Sequence, residues 1–247
     1  MKAAIANWGA FLVGVMLVAG CAPSPLADRF NASNAVAPDT SNFAVAVPDA
    51  PAPKAIAVDE TTDVLEYKYS YPAAAAAIPD VASRLNDDAA RAKASALKMA
   101  GEDQTAAGKN GYPYRRHASQ TRWTVKADTP RFLSLIGEIY FYTGGAHGNT
   151  GYKALIWDKP ADHESGVIAT AASPEALNTA ISQRFCDALN KARAEKRGEP
   201  VVPGEDSFTR CVDPLKQALV FGSADGKAID TLLIVIGPYE AGALCRG

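Results

Sequence analysis

Positive charge is not in surplus: 25 Lys and Arg stand against 27 Asp and Glu, for a formal net charge of −2 at pH 7. A chain so balanced lacks the basic excess that neutralises a phosphate backbone, so no nucleic acid is expected as a partner. The short patterns behind the common chemistries are missing too. There is no G-x-S-x-G elbow, no P-loop, no C-x-x-C and no H-E-x-x-H, which removes the usual signatures of serine hydrolases, nucleotide hydrolases, dithiol redox enzymes and zinc peptidases. Nothing here compels catalysis, and neither a metal nor an organic cofactor is expected. What remains is ordinary globular composition, 247 residues with 48% hydrophobic and 21% charged content, enough to bury one sizeable core.

Charge is scarce at the N-terminus as well. Lys2 is the only charged residue before Asp28, and Ala3 to Ala19 is almost wholly apolar. A short basic start, an apolar run and then small residues read as an export signal. A single membrane-spanning helix is the competing reading, since about 17 residues is the lower limit for crossing a bilayer. Leu17-Val18-Ala19-Gly20-Cys21 resembles the bacterial lipobox. That resemblance implies a signal peptide over 1–20 and a Cys21 thiol carrying a diacylglyceryl group, with a third acyl chain on its amine. At roughly 0.8 kcal/mol per buried methylene, more than one chain gives stable anchoring to a membrane. Ala22 in place of Asp at the next position implies an outer-membrane lipoprotein facing the periplasm, where the cell has that membrane.

From 21 to 60 the sequence is rich in Ala, Pro, Ser, Asn and Asp, with prolines at 23, 25, 38, 48, 51 and 53. It has too little apolar surface to offset the entropy of ordering and reads as a disordered tether. Patterned sequence occupies 61–247. Val64 to Tyr71 alternates like a strand, and Ile78-Pro79-Asp80 opens a helix expected to run to about Ala100, with Gly101, Gly108 and Gly111 marking the loop beyond. Strands are expected over Thr121–Ala127, Phe132–Tyr142 and Tyr152–Asp158. Ser173-Pro174-Glu175 starts a second helix that ends near Arg197-Gly198. Lys216–Phe221 and Ile229–Ile236 read as a closing hairpin. The expected fold class is α+β, antiparallel sheet packed against two main helices.

The run Tyr140-Phe141-Tyr142-Thr143-Gly144-Gly145-Ala146-His147-Gly148-Asn149-Thr150, followed by Tyr152 and Trp157-Asp158, resembles the signature of a bacterial extracytoplasmic domain of unknown function. Gly237-Pro238-Tyr239-Glu240-Ala241-Gly242 resembles its second motif. That domain occurs in the lysozyme-sensing anti-sigma factor RsiV and beside the catalytic domain of some peptidoglycan deacetylases. The resemblance spans roughly 62–242 and implies a recognition module without either output, binding a lysozyme-type protein or peptidoglycan. Members of the family continue past the Pro-Tyr motif into a further strand, so a C-terminal end shortened at Leu244-Cys245-Arg246-Gly247 is expected to leave a sheet edge unpaired.

Candidate functional residues follow from these segments. Gly144, Gly145, His147, Asn149 and Tyr152 are the candidates for a binding loop. His147 is also a weak catalytic candidate, with Asp158, His163 and Glu164 as conceivable metal partners; alternatively His147 and Asn149 merely hydrogen-bond the turn. That choice separates a small cell-wall hydrolase from a binding module or a structural envelope lipoprotein. Tyr112, Tyr114, Arg115, Arg116, His117 and Trp123 place aromatic and basic groups around one loop, either to stack on sugar rings or as a solvated loop leading to a core Trp123. Cys186 and Cys211 are the expected disulfide in an oxidising compartment, with a nominal entropic contribution of about 3 kcal/mol; Cys245 is left over.

Overall fold

The structure, a computed structural model, describes residues 12–14, 52–204, 206 and 208–239. Cys21, Cys245 and most of the expected leader and tether lie outside the described residues. The elements in chain order are β1 (Leu12–Gly14), β2 (Ile56–Thr61), β3 (Leu65–Tyr71), α1 (Ala73–Ala76), α2 (Pro79–Asn110), β4 (His117–Asp128), β5 (Phe132–Tyr142), β6 (Asn149–Asp158) and β7 (His163–Ser165). They are followed by α3 (Val167–Thr170), α4 (Pro174–Arg197), β8 (Ala218–Gly222) and β9 (Thr231–Val235). Strands β2 to β7 form one six-stranded sheet in sequence order, and β1-β9-β8 form a smaller one. The α+β expectation is met, with one difference: β3 and β4 run parallel. Parallel neighbours need a long crossover, and α2 supplies it.

Side-chain alternation decides how the layers stack. Leu65, Tyr67, Tyr69 and Tyr71 of β3 are all buried and point to one face, where they meet Val81 and Leu85 of α2, Trp123 of β4, and Leu133 and Leu135 of β5. The neighbouring Phe132 points to the other face and joins Ile181, Phe185 and Leu189 of α4 with Leu219 and Ile234 of the small sheet. The large sheet is therefore covered by α2 on one side and by α4 with β8 and β9 on the other. Buried Ser134 of β5 ties the two sheets by accepting a hydrogen bond from Phe221 N at 3.0 Å. Among the described residues these cores draw on positions between Val58 and Ile236, so a chain starting at residue 22 retains all of them and, of the strands, lacks β1.

The three tyrosines of β3 fasten α2 through their hydroxyl groups. Tyr67 Oη donates to Ala89 O at 2.7 Å, Tyr69 Oη to Asp88 Oδ2 at 3.1 Å, and Tyr71 Oη to Asn86 Oδ1 at 2.9 Å. Tyr69 Oη also accepts from Trp123 Nε1 at 2.8 Å. Trp123 lies flat over Gly137, its register partner on β5; a Cβ there would meet the indole at 2.9 Å.

Two boundaries differ from expectation. Ile56–Thr61, all but Thr61 counted above with the tether, is an edge strand paired antiparallel to β3, because Val58 packs against the core and the last tether proline, Pro53, falls before it. Helix α2 runs ten residues past Ala100, carrying Gly101 and Gly108 inside it and ending on Gly111 at φ 72°. Gly lowers helix propensity by about 1 kcal/mol without breaking a helix, and the Glu, Gln and Ala between them, with Lys109 after them, sustain it. Helix α4 begins and ends where expected: Ser173 Oγ accepts from Ala176 N, Pro174 opens the first turn, and Gly198 closes it at φ 75°. The disulfide joins Cys186 of α4 to Cys211, with Cα atoms 5.5 Å apart. The outer edge of β9 is occupied by β1, in parallel.

Candidate functional site

The turn between β5 and β6 is the place where separate signals of the sequence meet. Gly144 takes φ 86°, a conformation open to glycine, and lies against Arg115. Arg115 Nη1 donates to Gly145 O at 3.4 Å. His147 Nδ1 lies 2.9 Å from Gly148 O, and Asn149 Oδ1 accepts from Thr150 N at 2.8 Å, so both side chains bond the turn itself. His147 also stacks on Tyr239, with ring centroids 6.0 Å apart and Nε2 3.3 Å from the phenol oxygen. The two short motifs are thus in contact across 92 positions of sequence.

Beside the turn is a cavity of about 480 Å³ lined by Asp103, Tyr112, Tyr114, Arg115, His117 and Thr143, among others. Its far wall comes from the unexpected end of α2. Asp103 Oδ2 lies 3.2 Å from Nε2 of buried His117. Tyr114 stacks on His117 and donates to Val64 O at 2.7 Å; its phenol pKa is pushed up by burial, in part offset by a backbone hydrogen bond at His117. His117, read from sequence as a loop residue, is instead the buried first residue of β4. Trp123 is core. Tyr112, 52% exposed, lines this cavity with Arg115 and Asp103, while Phe141 near the end of β5 and Tyr239 against His147 are 46% and 54% exposed. Tyr152 does not belong to it: the side chain packs near Ile136, Val220 and Val235, and burial pushes its phenol pKa up.

The residues a hydrolase would need are dispersed. Asp158 is buried and held by Arg131, Nε at 3.1 Å and Nη2 at 3.0 Å. It faces His163 across β6 and β7, at the other end of the strand from His147. Glu164 pairs with Arg84 at 3.4 Å. Among the described residues no group of three or more His, Cys, Asp or Glu could hold a metal ion, and no helix is long and apolar enough to cross a membrane. Sequence reasoning missed Arg193, fully buried on α4 and donating to Thr209 O and Arg210 O at 3.1 Å each; an arginine in a helical pattern gives no sign that it turns inward.

Comparison with known proteins matches parts of this chain. The family model of deacetylase PdaC matches residues 58–150, from β2 to the start of β6 and including the turn. Among solved structures, the chain is similar to a DUF3298 family protein from Pseudomonas aeruginosa PAO1, at 14% identity and a TM-score of 0.37 over 61% of this chain and 70% of that one. It is also similar to a DUF3298 family member from Bacteroides fragilis, at 17% identity and a TM-score of 0.33 over 60% and 69%. No curated protein matches the chain.

Proposed function

We propose that the chain is a lipid-anchored, non-catalytic recognition module of the bacterial envelope, whose ligand is peptidoglycan or a lysozyme-type hydrolase that cuts it. The observation that carries this reading is a glycine-rich turn met from two sides, by exposed Tyr112 and Arg115 at the cavity beside it and by exposed Tyr239 stacked on His147. Aromatic rings with a polar edge stack on sugars and dominate protein interfaces, and several exposed at one place mark a contact surface. His147 supports the turn and the Tyr239 ring in this reading and moves no proton. Anchoring through Cys21 would hold the module at the membrane, facing the periplasm in a cell with an outer membrane.

The test is titration of the chain from residue 22 with purified peptidoglycan and with lysozyme, with a turnover assay on the same samples. Saturable binding without cleavage is expected, weakened at least tenfold by Tyr112→Ala with Arg115→Glu while the melting temperature holds, since both residues are exposed. Cleavage that His147→Ala abolishes would replace the module with an enzyme. Absence of binding to both ligands would leave a structural lipoprotein.

A further inference from the structure

At the opposite end of β5 from the turn, about 30 Å away at strand rise, lies a larger cleft of about 890 Å³. Its walls come from β5, β7, α3, α4 and the β8–β9 hairpin. Phe132, Val167 and Ile181 are buried at its base, while Leu177, Phe221 and Leu232 are only partly covered, so apolar surface faces the opening. Ala180, exposed on α4, takes up little of the space.

The charges on the wall are unequal. Asp158 is the one carboxylate among the described lining residues, and it is engaged by Arg131, whose guanidinium also lies 4.7 Å from the centre of the Phe132 ring. Arg184 lines the same cleft, and none of the described carboxylates pairs with it. A large apolar cavity with few polar groups is the usual form of a small-molecule site, and here the uncompensated group is a cation. We propose that this cleft binds an amphiphile with one apolar chain and an anionic headgroup, the chain against Leu177, Ile181, Phe221 and Leu232 and the headgroup at Arg184. The site stands apart from the turn and does not rest on the function proposed for it.

The probe is dodecanoate, titrated calorimetrically below its micelle concentration into the chain from residue 22, which retains every described residue lining the cleft. Saturable one-to-one binding is expected. Ala180→Trp, at an exposed helix position, should abolish it by filling the cleft, and Arg184→Glu should weaken it at least tenfold, both with unchanged melting temperature and unchanged behaviour toward peptidoglycan and lysozyme. Heat that never saturates, equal affinity for dodecanol, or affinity unmoved in both variants would overturn the proposal.

Discussion

Removing a single oxygen, in Tyr69→Phe, tests how β3 holds α2. The hydroxyl has two partners: it donates to Asp88 and accepts from Trp123 Nε1. Both Tyr69 and Trp123 are buried, at 1% and 5% exposure, so no water replaces the lost acceptor and the indole N–H is left orphaned. An unsatisfied buried donor costs about 1–3 kcal/mol, and the lost bond to a carboxylate adds about 1 kcal/mol or more, for a total of about 3 kcal/mol. Tyr71→Phe is the control. Its partner Asn86 is exposed and rehydrates, so about 1 kcal/mol is expected. Urea unfolding of the chain from residue 22, followed by far-ultraviolet circular dichroism, measures both. In a Trp123→Phe background the cost of Tyr69→Phe should fall by 1 kcal/mol or more, as about expected for coupled neighbours. Equal costs for Tyr69→Phe and Tyr71→Phe, or no coupling to Trp123, would refute the reasoning.

Three further outcomes are expected. Gly101→Ala and Gly108→Ala, where a Cβ meets nothing within 4 Å, should each stabilise by about 0.5–1 kcal/mol in the same unfolding assay. Gly137→Ala pushes a methyl into the Trp123 ring and should destabilise by about 1–3 kcal/mol, with a visible change in near-ultraviolet circular dichroism. Burial, then Asp88 and Glu60, pushes the Tyr67 phenol from 10.0 to about 12. The unfolded chain therefore loses this proton first as pH rises. The stability this tyrosine contributes is complete below about pH 10 and falls away by about pH 12, by about 2 to 3 kcal/mol, and Tyr67→Phe should flatten melting curves taken across that range.

Local patterns were legible in the sequence where one segment carries the whole signal. Ser173, Pro174 and Glu175 start α4 and Gly198 stops it because caps act within a turn of the chain; the alternation of β3 is visible for the same reason. Reach across the chain was not legible. Asp103 could not be assigned to the wall of a cavity while Gly101 was read as a helix end, since its position depends on ten further residues of helix. The β3 tyrosines show a buried face, yet which hydroxyl meets which group depends on the rotational phase of α2. The two glycine-containing motifs stood out separately, and only folding puts Tyr239 on His147. The dispersal of Asp158, His163 and Glu164 away from His147 is likewise a matter of strand length: β6 runs its full ten residues between them.

The fastening of α2 is uneven along its length. The tyrosine bonds grip residues 86 to 89, near its start, and Lys93 pairs with Glu60, whereas the last turns rest on small residues such as Ala100 and Ala107 and on the contact between Asp103 and His117. Amide protons should accordingly exchange fastest toward Asn110, through fraying that leaves the sheet intact. Because Asp103 belongs to that frayed part, the turn cavity has one compliant wall and one stiff one, and a ligand arriving there can reshape its pocket by unwinding a few residues while the core stays closed.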